Sequence, residues 1–76
     1  FPASNTATGQ DALKRHHDDS YRNTADGYQA LFSNLTGDDN TAIGYQAGLL
    51  TKGSNNILIG SKNNGLASES NAIKIG

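Results

Sequence analysis

Cysteine, methionine, tryptophan and valine are all missing from this 76-residue chain, and it has a single proline. Without cysteine there are no disulfides and no thiolate metal sites. Leu, Ile and Phe together supply only 14 residues, which is thin material for a single domain already near the lower size limit for independent folding. Apolar poverty joined to a large net charge marks a disordered chain. Here six basic residues face seven acidic ones, so that second condition is absent. The same balance lacks the basic face that nucleic acid requires. No apolar run approaches the ~20 residues of a membrane-spanning helix, and no signal-peptide pattern occurs. Neither nucleic acid nor membrane insertion by this segment is therefore expected.

What the chain does contain is repetition. Five phrases close on glycine: NTATG (5–9), NTADG (23–27), NTAIG (40–44), NILIG (56–60) and AIKIG (72–76). The closing residues Gly9, Gly27, Gly44, Gly60 and Gly76 lie 18, 17, 16 and 16 residues apart. A period this short describes stacked coils, each too small to bury an apolar face alone and each completed by its neighbours. The whole chain, 1–76, reads as one such repeat domain. With so little core, a lone monomer is marginal, and self-association is the expected remedy.

Alignment on the closing glycine gives each coil a short strand. The position two before glycine holds Ala7, Ala25, Ala42, Leu58 and Lys74. Its flanks hold Thr6 and Thr8, Thr24 and Asp26, Thr41 and Ile43, Ile57 and Ile59, and Ile73 and Ile75. Side chains two apart share a face of a strand. β-Branched residues suit a buried pleated surface, so the Thr/Ile columns are expected inward, with the Ala/Leu/Lys column outward or against a neighbouring chain. Lys74 agrees with that assignment. Asp26 opposes it, because it would then point inward and need a partner.

A second strand is expected after each glycine, at 10–13, 28–31, 45–48 and, more weakly, 61–64. There Ala12, Ala30 and Ala47 form a column of small residues, and Tyr28 and Tyr45 form another. The glycines sit at a corner needing positive φ or close backbone approach. Turn-formers in SNLTGDD (33–39), TKGS (51–54) and GLASES (65–70) carry the far corner. YQALFSNL and DALKRHH also suit a helix, but a coil of 16–18 residues leaves no room for one of ordinary length. The expected fold is all-β, a solenoid of about five coils.

The phrases NTADGYQALFSNLTGDDNTAIGYQAG and SNNILIG…SESNAIKIG resemble the head repeats of YadA-like trimeric autotransporter adhesins and related repeats of bacterial and phage tail-fibre-type proteins. The resemblance runs from Asn5 to Gly76 and weakens over 10–22. It implies a left-handed parallel β-roll, three of which assemble side by side as a homotrimer. The implied role is a surface-exposed head or stalk that binds host or matrix components, with no active site. Coils one and two depart from the pattern, carrying Thr and Asp where the adhesin heads usually place Val or Ile.

Chemistry-bearing clusters are few. His16, His17, Asp18 and Asp19 are the candidate metal ligands; adjacent strand residues point to opposite faces, and a solvated turn is the preferred reading. Gly37-Asp38-Asp39-Asn40 superficially suggests a calcium loop but lacks the EF-hand spacing and the glycine-rich nonapeptide repeat. No GxxxxGK[ST] run accompanies the glycines. Asn34-Leu35-Thr36 is a glycosylation sequon. No nucleophile–base arrangement clusters, so neither catalysis nor a cofactor is expected. Tyr28 and Tyr45, with Gln29 and Gln46 beside them, form a recurring aromatic-amide pair; with Ala30 and Ala47 they are the candidate interface between protomers.

The expected function is thus a non-enzymatic structural or adhesive module of an extracellular fibre or cell-surface appendage. The apolar final coil, Ile73-Lys74-Ile75-Gly76, raises an alternative: a filament subunit stacking head to tail through unpaired backbone. A third expectation is a carbohydrate- or ice-binding module, in which Thr6, Thr24 and Thr41 line up.

Overall fold

The computed structural model describes residues 5–14, 21–34, 37–65 and 68–76. Five three-residue strands, β1 (Thr6–Thr8), β2 (Thr24–Asp26), β3 (Thr41–Ile43), β4 (Ile57–Ile59) and β5 (Ile73–Ile75), make one parallel sheet in the order β1-β2-β3-β4-β5. Each strand pairs with the equivalent strand one repeat away, so Ala7, Ala25, Ala42, Leu58 and Lys74 fall in register. Parallel pairing of consecutive strands requires the chain to circle once between them. The fold is therefore a β-solenoid, and coils one to five are named here by their strands.

Each coil turns its corner at the closing glycine. The φ angles are 106° at Gly9, 140° at Gly27, 125° at Gly44 and 130° at Gly60, in the region that favours glycine. Space demands glycine as well: a Cβ on Gly27 would lie 2.5 Å from the Gly44 carbonyl oxygen, and one on Gly44 would lie 2.7 Å from that of Gly60.

After the corner, the structure departs from the expected second strand. The segments at 10–13, 28–31 and 45–48 are runs of overlapping turns. In coil two, the Ala30, Phe32 and Asn34 N–H groups donate three residues back, to Gly27, Gln29 and Leu31 carbonyls at 3.1, 3.2 and 3.1 Å. The intervening Gln29, Leu31 and Ser33 N–H groups donate to neighbouring coils, at Gln10, Ala47 and Leu49 carbonyls. Gln29 and Leu31 carry φ of 58° and 51°, and Gln46 and Gly48 repeat this at 57° and 67°. Positive φ at the third residue is what a type II turn requires. For a side-chain-bearing residue it costs roughly 1–2 kcal/mol, and the bonds between coils offset that cost.

The strand faces are also inverted relative to expectation. Ala25, Ala42 and Leu58 are the inward residues and are fully buried, whereas Ile43, Ile57 and Ile59 are 42, 37 and 36% exposed. Asp26 likewise points outward and needs no buried partner. The reason is width. Sheet and turn walls diverge from a single glycine corner, and the space between them is filled by small residues with an occasional leucine. The interior is accordingly Ala25, Ala30, Ala42 and Ala47 with Leu13 and Leu31. Leu31 reaches over coil three, where a Cβ on Gly48 would meet its Cδ2 at 2.9 Å. A large residue in one coil thus occupies space left by glycine in the next, which keeps the interior close-packed.

Beside this small apolar interior runs a buried column of asparagines. Asn23, Asn40 and Asn56 are at most 1% exposed. The N–H of Asn23, Asn40, Asn56 and Ala72 donates to Oδ1 of Asn5, Asn23, Asn40 and Asn56 respectively, at 2.9–3.1 Å. The same amides donate from Nδ2 to the far corner: Asn23 to Gly37, Asn40 to Gly53 and Asn56 to Glu69 carbonyls, at 2.9, 2.8 and 2.9 Å. Each amide ties its own coil to the next at two places.

Asn40→Ala would strand the Asn56 N–H and the Gly53 carbonyl. At about 1–3 kcal/mol per buried group left unpaired, the expected loss is about 2–6 kcal/mol in urea denaturation. Asn40→Asp keeps the acceptor but buries a carboxylate without its donor. It should be the worse variant at neutral pH and recover stability as pH falls and the carboxyl protonates.

Candidate functional site

Two outward columns cover the sheet. One runs Thr6, Thr24, Thr41, Ile57, Ile73, and the other Thr8, Asp26, Ile43, Ile59, Ile75. The face is graded along the solenoid axis: hydroxyls and one carboxylate over coils one and two, Thr41 beside Ile43 over coil three, and isoleucine alone over coils four and five. Ile73 and Ile75 are 70 and 74% exposed. Together with Ile43, Ile57 and Ile59 they form a contiguous apolar patch on a flat sheet, a feature that marks contact surfaces. Sequence reasoning found these isoleucines but pointed them inward.

The turn wall presents a second ladder. Tyr28 and Tyr45 stack with ring centroids 5.4 Å apart and planes 9° from parallel. Gln46 Nε2 donates to Gln29 Oε1 at 2.9 Å. The repeated Tyr-Gln dipeptide therefore stitches coil two to coil three, while each tyrosine stays about two-fifths exposed at 39 and 43%. Ala30 and Ala47, expected as interface residues, are fully buried in the interior. A neighbouring copy cannot reach them.

At the far corner the residues of the calcium-loop reading are held by protein donors. Asp38 Oδ1 accepts from the Tyr21 N–H at 2.7 Å, and the Asp38 N–H donates to Ser54 Oγ at 3.0 Å. Ser54 continues the column by donating to Ser70 Oγ at 3.0 Å. Asp39 takes both carboxylate oxygens to Arg22, at 2.6 Å from Nε and 3.1 Å from Nη2. The hydrogen bond from Arg22 lowers the Asp39 carboxyl below its ordinary value, opposed in part by desolvation, and the bond to Asp39 raises Arg22. Asn40 belongs to the buried ladder. Asn34, the sequon asparagine, is buried, its Nδ2 facing the Thr51 carbonyl at 3.4 Å, so it is not open to glycosylation in the folded chain.

His16, His17, Asp18 and Asp19 lie outside the described residues. Among the described residues no three His, Cys, Asp or Glu side chains gather as metal ligands, and no cavity of ligand size opens. The asparagine ladder and the Asp38–Ser54–Ser70 column escaped sequence reasoning, although Asn opening four of the five phrases was a visible signal. Comparison with family models, curated proteins and solved structures finds no match.

Arg22→Gln removes the donor that lowers Asp39. The carboxyl midpoint of Asp39, followed by NMR titration, should move up towards the ordinary carboxylate value. In the native chain the pair's contribution is present above the unfolded carboxylate pKa and is lost as pH falls through the lowered folded value. Because the pair is exposed, the associated change in melting temperature should be slight.

Proposed function

We propose that this chain is a non-enzymatic structural module of an extracellular fibre or cell-surface appendage, acting as a homotrimer of three parallel left-handed β-rolls that meet through the isoleucine face. The observation that carries this reading is the outward patch of Ile43, Ile57, Ile59, Ile73 and Ile75, all at least 36% exposed. Among the described residues the buried apolar set is four alanines and three leucines, so the isoleucines can be withdrawn from water only by another molecule. At about 25 cal/mol per Å², covering such a patch is the main stabilisation still open to the fold.

The grading of the face favours parallel copies in register. Parallel packing sets isoleucine on isoleucine and gathers the Asp26 carboxylates of the copies at one polar level with the hydroxyls of Thr8 and Thr24. Antiparallel packing sets Asp26 against isoleucine, which leaves a carboxylate unpaired in an apolar contact. The resemblance to trimeric adhesin heads supports the same arrangement and supplies the adhesive role, with host or matrix components as partners. The remaining exposed ladders would then be repeated on three sides of a stiff rod, and weak contacts would add by avidity.

One observation favours a second reading. Thr6 and Thr24 point outward and Thr41 is half-buried on the same face, so three hydroxyls form an external column suited to ordering water or meeting a carbohydrate. Thermal hysteresis or glycan-array binding would support that reading.

Sedimentation of the native chain should give the mass of three copies. Ile57→Asp with Ile59→Asp, both on the outer face, should shift it to monomer by placing charge in the contact. A native chain that is a stable, folded monomer overturns the trimer.

A further inference from the structure

We infer that coil five is a stop: its end surface refuses a further coil of this repeat, from the same chain or from a second copy. Three positions change there together, and each has a separate physical effect.

The first lies on the buried ladder. Asn5, Asn23, Asn40 and Asn56 each hand a side-chain acceptor to the following coil, and Ala72 stands in the fifth place. Ala72 receives the ladder, its N–H donating to Asn56 Oδ1 at 3.1 Å and its carbonyl accepting from the Ile57 N–H at 2.8 Å. A methyl group passes nothing on. A sixth coil would find no acceptor for its backbone N–H and no amide donor for its far-corner carbonyl, two buried groups left unpaired.

The second lies at the far corner. A Cβ on Gly37 would collide with the Gly53 carbonyl oxygen, and one on Gly53 would collide with that of Glu69. Glycine at these two places admits the backbone of the next coil. Glu69, the next residue in the series, carries a Cβ there, so the same approach of a sixth coil is closed by sterics.

The third lies in the inward column. Ala25, Ala42 and Leu58 are buried, and Lys74 follows them. Its Nζ pairs with Glu69 Oε2 at 3.2 Å, and the Asn63 amide donates to its carbonyl at 2.8 Å. The ammonium and carboxylate thus lie together at the end of the solenoid, partly in water. Covering them with another coil would strip that water from both charges. A polar end of this kind is what keeps a repeat array from offering its open core.

The consequence bears directly on head-to-tail assembly. Growth along the axis is blocked at this end, and the lateral isoleucine face is left as the route of association.

The test appends a copy of 45–60 after Gly76 and, separately, inserts the same copy after Gly60. Backbone hydrogen exchange then follows the added residues themselves, whatever the oligomeric state. The internal copy should be protected, and the terminal copy should exchange on the order of 100-fold faster. In the background of Glu69→Gly, Ala72→Asn and Lys74→Leu, the terminal copy should gain protection. Equal protection of terminal and internal copies in the native background overturns the stop, and that comparison holds even if the triple variant fails to fold. A terminal copy still unprotected behind a folded triple variant overturns the assignment to these three residues.

Discussion

The asparagine ladder is the constraint on which the rest of the structure depends. Strands of three residues give each coil few sheet hydrogen bonds, and the buried apolar residues among those described are alanines with a few leucines. Backbone bonds between coils set their spacing, and what remains is to pin each coil in register over the next. Asn23, Asn40 and Asn56 do so by accepting from the backbone of the following coil while donating to its far corner. An amide is suited to this because it offers an acceptor and a donor from one rigid group. Buried and fully engaged, such a network specifies a single arrangement.

Thinness follows, and thinness decides the surface. With the walls bonded this closely, the space between them admits a methyl group per coil and an occasional leucine over a glycine, as Leu31 lies over Gly48. The isoleucines therefore have no place inside. They are displaced to the outer sheet face, and that displacement creates the exposed isoleucine patch. The same scarcity of interior that makes the monomer marginal supplies the surface by which it would associate.

Much of the architecture was legible in the residues. The glycine spacing led to stacked coils and to the alignment of Ala25 with Ala42 and Leu58, while parallel pairing came with the resemblance to the adhesin heads. The corner glycines were identified for the right reason, positive φ and close approach together. The candidate site was less legible. Ile43, Ile57, Ile59, Ile73 and Ile75 point to the side opposite the expected one, and Lys74 misleads because it stands in the inward column with its ammonium paired to Glu69. Ala30 and Ala47 line the core and not a contact surface.

The division has a physical cause. Equivalent residues of a constant repeat must come to lie side by side, so period and pairing are properties of the linear order. An alternating strand has two possible orientations, and choosing between them requires the distance to the opposite wall, which no single coil contains. The turn wall is similar. Positive φ at Gln29, Leu31 and Gln46 is unfavourable locally and becomes stable only through bonds from adjacent coils. Which side chains face water, and hence what the surface offers a partner, was settled by stacking.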